Sequence, residues 1–131
     1  MAGPLQQAVT ASEQEGQPIS ARFDIDADKL KLSVCTARDQ SFFEVVIDQT
    51  TGKVTEVKPV TEDSDLIADK LASAAMAKAK ISLKEAIDRA LSTAPGFRAV
   101  SATPGLEAGH AAAWILLVND EEFKTVKQAM E

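Results

Sequence analysis

Three acidic residues near the start of the chain have the spacing of a metal site. Asp24, Asp26 and Asp28 follow the Asp-x-Asp-x-Asp pattern that opens an EF-hand calcium loop. That loop also needs Gly at its sixth position and Glu at its twelfth, where this chain has Lys29 and Cys35. Because the surrounding residues alternate as in a strand, we interpret the three acids as a solvated hairpin end and predict no metal site.

Cys35 and His110 are the other residues whose types could do chemistry. Cys35 is the only cysteine, which excludes an internal disulfide and a Cys-rich zinc site. A nucleophile needs an activating base, and His110 is the single imidazole of the chain. No serine lies in a Gly-x-Ser-x-Gly context, and no phosphate-binding glycine loop is present. We therefore predict no catalytic residues and no cofactor, and we expect a protein that is not an enzyme.

The composition is that of an ordinary globular protein. The chain has 131 residues, 45% hydrophobic and 26% charged, which suits one compact domain or two small interdependent halves. The longest apolar run, residues 111–118, is far shorter than the ~20 residues that span a bilayer. The net charge of -6 argues against nonspecific binding to nucleic acid or anionic lipid, because both need a concentrated cationic face.

The first sixty residues predict a helix followed by an antiparallel meander. Residues 4–15 carry apolar positions three and four apart, typical of a helix, and Gly16 ends it. From residue 18 to residue 60 the apolar period changes to two, with short polar turns between the alternating runs. This pattern indicates about four strands with one solvated face.

The rest of the chain predicts two helices and a second, shorter sheet segment. Residues 63–80 are expected to form a linker helix, with an apolar stripe of Leu66, Ile67, Leu71, Ala74 and Ala75. Ser82 and Glu85 form a capping box that begins a helix to about residue 92. Residues 97–103 predict a strand and 104–109 a loop. Residues 111–118, apolar on both faces, predict a central, doubly covered strand, and 123–128 a strand or a helix.

The order of helix, glycine stop and meander occurs twice along the chain. The apolar residues of the first helix, Leu5, Ala8 and Val9, match a second set at a constant separation, Leu83, Ala86 and Ile87. We therefore predict an α+β fold of two tandem helix-plus-meander repeats, residues 1–60 and 81–131, joined by residues 61–80. Two such units packed together share a larger core than one unit alone, with residues 111–118 near its centre.

These motifs resemble the PepSY domain family. Residues 45–54, VVIDQTTGKV, match the closing hairpin of that family, which has three apolar residues, Asp, and then Gly four positions on. Residues 82–87, SLKEAI, resemble its helix start, and residues 114–126 resemble a closing hairpin that lacks the glycine. The fold that the resemblance implies is two PepSY-like repeats, which cover most of the chain outside residues 63–80.

The resemblance also implies a function. PepSY domains occur in the propeptides of thermolysin-like secreted peptidases and in small exported or membrane-anchored bacterial proteins, and the family has no catalytic residues to assign here. The expectation is a non-enzymatic binding module, periplasmic or secreted after removal of a signal peptide, that inhibits or regulates a peptidase at the cell envelope. The alternative is an envelope structural or dimerisation module with no peptidase partner, for which a homodimer is expected.

One surface is the predicted site for a protein partner. Because the intervening residues face inward, Phe42, Glu44 and Val46 point to the other face of the sheet. If no repeat covers that face, Phe42 and Val46 form an apolar patch fit for a partner. Exposed strand edges offer a second route, through main-chain hydrogen bonds. Trp114 is expected to pack in the core.

Overall fold

The computed structural model describes the backbone of residues 3–26 and 29–131 and the side chains of residues 3–24 and 30–131. Within that part of the chain the elements, in order, are α1 (Pro4–Ser12, extended by a 3-10 turn, Glu13–Glu15), β1 (Gln17–Asp26), β2 (Lys29–Arg38), β3 (Ser41–Ile47), β4 (Val54–Pro59), α2 (Asp63–Lys78), α3 (Leu83–Ser92), β5 (Arg98–Glu107), β6 (His110–Val118) and β7 (Phe123–Ala129).

The described strands form one antiparallel sheet in the order β4-β3-β2-β1-β5-β6-β7. Strands β1 and β5 join the two halves, with Ala21 opposite Ala102 and Arg22 opposite Ser101. The predicted α+β class and antiparallel pairing are confirmed. The described elements also follow the expected order, α1 with β1–β4 and then α3 with β5–β7. The division of the chain at residues 60 and 81 stays a prediction.

Helices α1 and α3 pack beside each other on one face of the sheet. Their apolar stripes are buried as the 3.6-residue period predicts, and each of the six residues is 0–2% exposed: Leu5, Ala8, Val9, Leu83, Ala86 and Ile87. They cover the inward residues of the strands, such as Val34, Val45 and Ile115, which have no exposed surface. Ser82 caps α3 as expected, because its hydroxyl accepts a hydrogen bond from the Glu85 amide at 3.1 Å. The other half of the predicted capping box is replaced, since the Glu85 carboxylate accepts from Arg89 at 3.3 Å.

Helix α2 packs on the opposite face, chiefly against β5 and also against β1 and β6. The predicted apolar stripe of this helix is wrong at three of its residues, since Ile67 is 62% exposed, Leu71 64% exposed, and Ala74 is exposed as well. The buried face consists of Ala72, Ala75 and Met76. Small side chains let the helix backbone approach the sheet closely, whereas isoleucine and leucine would hold it away. The helix is therefore part of the core as well as a connection.

Strand β5 is longer than the sequence indicates, because it runs through Pro104 to Glu107 where a loop was expected. Pro104 lies two residues beyond Ala102, the last β5 residue that pairs with β1 in the described chain. A proline, which lacks an amide hydrogen, is tolerated at such a free edge. The turn that follows consists of Ala108 and Gly109, both with positive φ, as a two-residue hairpin requires.

Strand β6 is buried on both faces only from Ala111 to Ala113, since Trp114, Leu116 and Val118 on one face are half-buried, and it is not at the centre of the sheet. It lies between β5 and β7, and the centre of the described sheet is β1. The alternatives for residues 123–128 are resolved in favour of a strand, in which Val126 lies opposite Ile115. The chain end then packs inward, where the Met130 amide donates to the Ala111 carbonyl at 3.0 Å.

Candidate binding cleft and open sheet face

A cleft of about 270 Å³ lies between the N-terminal half of α2 and the sheet. The C-terminal half of α2 is packed, with Ala75 fully buried, and its end is held by a hydrogen bond from Lys78 Nζ to the Gly109 carbonyl at 2.7 Å. Ala68, nearer the N-terminus, is exposed and lines the cleft. Strands β1, β2 and β3 provide the floor, and the segment after β4 closes one side. The helix thus leaves a recess open to solvent.

Inside the cleft Cys35 on β2 faces Asp69 on α2, and hydrogen bonding between the thiol and the carboxylate affects the pKa of both groups. Burial raises the pKa of Cys35 far above its ordinary value, and the negative charges of Asp69 and Glu44 raise it further. Burial also raises the pKa of Asp69, although the hydrogen bond from the thiol opposes that shift. The thiol is therefore neutral at physiological pH, the opposite of what a nucleophile needs.

Some charged side chains around the cleft form ion pairs with described residues, and others do not. Lys31 Nζ lies 3.2 Å from Glu44 Oε1, a half-buried ion pair on the floor of the sheet face. In contrast, no ion pair involves Glu62, Asp65 or Asp69 among the residues that the structure describes. These three acids all line the cleft on the side of α2. The mouth of the cleft therefore carries negative potential.

The cleft opens onto a part of the sheet that no described helix covers. We call this part the open sheet face; it consists of the α2-side residues of β2, β3 and β4 beyond the cleft floor, namely Lys31, Glu44, Val46, Glu56 and Lys58. A shallow groove crosses it, lined in part by Lys31, Val46 and Lys58. Lys58 and Glu44 also line the cleft. Groove and cleft are therefore one continuous surface, with α2 at one side and the edge strand β4 at the other.

The structure brings two of the three predicted partner residues to this surface. Glu44 and Val46 are half-buried and lie on the open sheet face. Phe42 is 9% exposed and belongs to the hydrophobic core, so it adds little apolar area for a partner. The role of the three residues in partner binding stays a prediction.

The other candidates are not brought together. Asp24 is exposed and lies 3.6 Å from Arg22, while Asp28 and the side chain of Asp26 lie outside the described residues. His110 begins β6 with its side chain 78% exposed, 3.5 Å from the Glu131 carboxylate. It is not among the residues that line the cleft around Cys35. No cluster of three or more metal-binding side chains occurs in residues 3–24 and 30–131.

Trp114 packs less deeply than predicted, since its side chain is half-buried. Its ring lies against Gly105, where a Cβ atom would approach the ring to 3.1 Å. This contact fixes the indole across the β5–β6 pair on the same side of the sheet as α2.

Sequence reasoning missed Asp69 and hence the cleft. A signal was present, because Asp65, Asp69, Ala72 and Met76 follow one another at spacings of three and four residues on one face of α2. The sequence analysis did not predict that this face is buried, because the larger apolar residues Ile67 and Leu71 form a stripe on another face of the helix. None of the helices in the described chain is long and apolar enough to span a bilayer.

Comparison with known proteins gives the fold alone. No family model matches the sequence, and no curated protein matches it at a significant level. Among solved structures, the chain is similar to a protein from Clostridium difficile 630 described as a "putative lipoprotein". The TM-score is 0.50 at 17% sequence identity, over 92% of this chain and 79% of the other.

Proposed function

We propose that this chain is a non-enzymatic module that binds a protein partner on the open sheet face and in the adjoining cleft. The observation that carries the proposal is the unequal cover of the two sheet faces. One face is packed under α1 and α3, whereas α2 packs on β5, β1 and β6 and leaves β2–β4 open. The open sheet face combines the half-buried apolar side chain of Val46 with ion-paired charges and borders a recess. Such a mixed polar and apolar surface is typical of a non-obligate interface.

The chemistry of the cleft supports binding rather than turnover. The thiol of Cys35 is held neutral by burial and by the carboxylate beside it. The described lining of the cleft contains no histidine, and the carboxylate beside the thiol raises the pKa of the thiol instead of lowering it. The unpaired acids on α2 favour a partner that presents basic residues, since complementary potentials speed encounter and fix orientation.

We further propose that the partner is a peptidase and that the chain consists of two PepSY-like repeats. The support for a repeat is a side-chain contact that occurs once in each half of the chain. Asp48 Oδ1 accepts hydrogen bonds from the amides two and three residues later, at 2.7 and 2.9 Å. Asn119 Oδ1 accepts from the amides two and three residues later at 2.9 and 2.8 Å. Both residues directly follow the first strand of a hairpin, β3 of the β3–β4 hairpin and β6 of the β6–β7 hairpin.

The proposed location is the cell envelope, periplasmic or secreted. It is supported by the PepSY resemblance and by the name of the similar Clostridium difficile protein, because lipoproteins are exported. The alternative function, an envelope dimerisation module without a peptidase partner, has support in the exposed apolar residues of α2.

The test is capture of a partner with two matched valine variants. Val46→Arg places a charge on the open sheet face, while Val57→Arg places the same charge on the neighbouring strand and the other face, since Val57 pairs with Val45. We expect the unaltered chain and Val57→Arg to retain a peptidase from an envelope extract and to slow its hydrolysis of a peptide. Val46→Arg should do neither. Equal loss of peptidase binding in both variants, or retention of cytosolic proteins alone, would contradict the proposal.

A further inference from the structure

We propose that the outer face of α2 is a contact surface between two copies of this chain. This outer face consists of Asp63, Ile67, Leu71, Ala74 and Lys78, all of which are exposed. Their spacings of four, four, three and four residues place them in one stripe along a helix with 3.6 residues per turn. Ile67 and Leu71 expose 62% and 64% of their surface, the largest apolar exposures on any described helix.

The order of charges makes the stripe complementary to itself in an antiparallel pair. Asp63 is the first residue of the 16-residue helix and Lys78 the last. A two-fold axis through the helix midpoint therefore sets Asp63 of each copy opposite Lys78 of the other. The same axis sets Ile67 opposite Ala74 and brings the two copies of Leu71 together at the centre. An isologous dimer requires this property, because one surface must serve both copies.

Two further features favour a second copy as the occupant. Antiparallel helices place the positive N-terminal end of each beside the negative C-terminal end of the other. Lys78 is already held at its end of the helix by its hydrogen bond to the Gly109 carbonyl, so less side-chain freedom is lost on pairing. An anionic lipid surface is a poorer occupant for a chain with net charge -6.

The expected dimer is weak. A helix of 16 residues is about 24 Å long, so one helix pair lies at the small end of stable interfaces, which bury about 1,200–2,000 Å². We expect a dissociation constant on the order of 10–100 µM. The open sheet face lies elsewhere, on β2–β4, so dimerisation and partner binding are independent.

Charge reversal tests the arrangement at two exposed residues; because Lys78→Asp also removes the hydrogen bond to the Gly109 carbonyl, circular dichroism of each variant checks that the fold is kept. Asp63→Lys and Lys78→Asp should each be monomeric alone, since each puts like charges opposite one another in a homodimer. An equimolar mixture of the two variants should regain the dimer, because both end contacts then join opposite charges. The measurement is mass by light scattering or sedimentation equilibrium, where the unaltered chain should approach twice 13.9 kDa at high concentration.

A second pair of variants tests the apolar part of the stripe. Leu71→Ser should weaken dimerisation at least tenfold, whereas Phe123→Ser, which removes a side chain 76% exposed on β7, should leave it unchanged. Val46→Arg should also leave the mass unchanged while abolishing partner binding, so failure of one proposal is distinguishable from failure of the other. The proposal is overturned by a chain that stays monomeric, by a dimer that survives the reversals, by loss only in Phe123→Ser, or by a monomer that binds lipid vesicles through Leu71.

Discussion

Asp48 and Asn119 each accept hydrogen bonds from the backbone amides two and three residues later, and each directly follows the first strand of a hairpin. One is a carboxylate and the other a neutral amide, so the same side-chain contact is made with and without charge, in two loops of different length. The two amide donors lower the pKa of Asp48 below its ordinary value of 3.8. The pair therefore allows a comparison of one side-chain contact in a charged and a neutral form.

Replacement of each residue by alanine should lower Tm with a different pH dependence in the two variants. Because the pKa of Asp48 is lower in the folded chain, its contribution is present above its ordinary pKa and is lost as the pH falls through the folded value. Asp48→Ala should therefore lower Tm at pH 7 and lower it much less near pH 2. Asn119→Ala should lower Tm by an amount that does not depend on pH over this range. Calorimetry at several pH values checks this, and a parallel pH dependence in both variants would contradict it.

The Cys35 thiol should make the fold less stable at high pH. Its pKa is raised in the folded chain, so its contribution is complete below the unfolded thiol's pKa of about 9.0 and is lost as the pH rises beyond it. Between pH 8 and pH 10 the unaltered chain should lose more unfolding free energy than Cys35→Ser, which does not titrate. Urea unfolding at each pH measures the difference. Equal slopes for the two proteins would show that the thiol is not held neutral.

Removal of the Asp69 charge should make the thiol more reactive. In Asp69→Asn the nearest negative charge is gone, so the pKa of Cys35 falls and alkylation by iodoacetamide at pH 8 becomes faster. Asp65→Asn is the matched control, because Asp65 lines the same cleft but does not shift the thiol. A control variant that reacted as fast as Asp69→Asn would mean that access to the cleft, and not charge, limits the reaction.

Two isoleucines test which helix faces form the core. Ile87 on α3 is fully buried, so Ile87→Ala should cost about 2–5 kcal/mol of unfolding free energy. Ile67 on α2 is 62% exposed, so Ile67→Ala should change stability by less than about 0.5 kcal/mol. Denaturant unfolding of dilute protein measures both. A large loss of unfolding free energy in Ile67→Ala would mean that this residue packs in the core, as the sequence had predicted.

These residues also show which parts of the structure the sequence could predict. The start of α3 was predictable because Ser82 and Glu85 are three residues apart and their contact is local. The buried face of α2 was not, because the sheet selects the small side chains of Ala72 and Ala75 over larger apolar ones. The length of β5 was missed because the rule that proline ends strands does not hold for Pro104 at a free edge.

The candidate site was less predictable than the fold. The alternation of β3 placed Glu44 and Val46 on the face opposite Val45 and Ile47, since side-chain direction in a strand follows from a period of two. The cleft depends on contact between Cys35 and Asp69, which are far apart in sequence and on different element types. No local pattern encodes how far a helix stands from a sheet.

The most direct test of the open sheet face is amide hydrogen exchange with the captured partner bound. Partner binding should slow exchange in β3 and β4, Ser41–Ile47 and Val54–Pro59, and leave exchange in β7, Phe123–Ala129, unchanged at the opposite edge. Slowed exchange confined to β7, or to α1 and α3, would contradict the account.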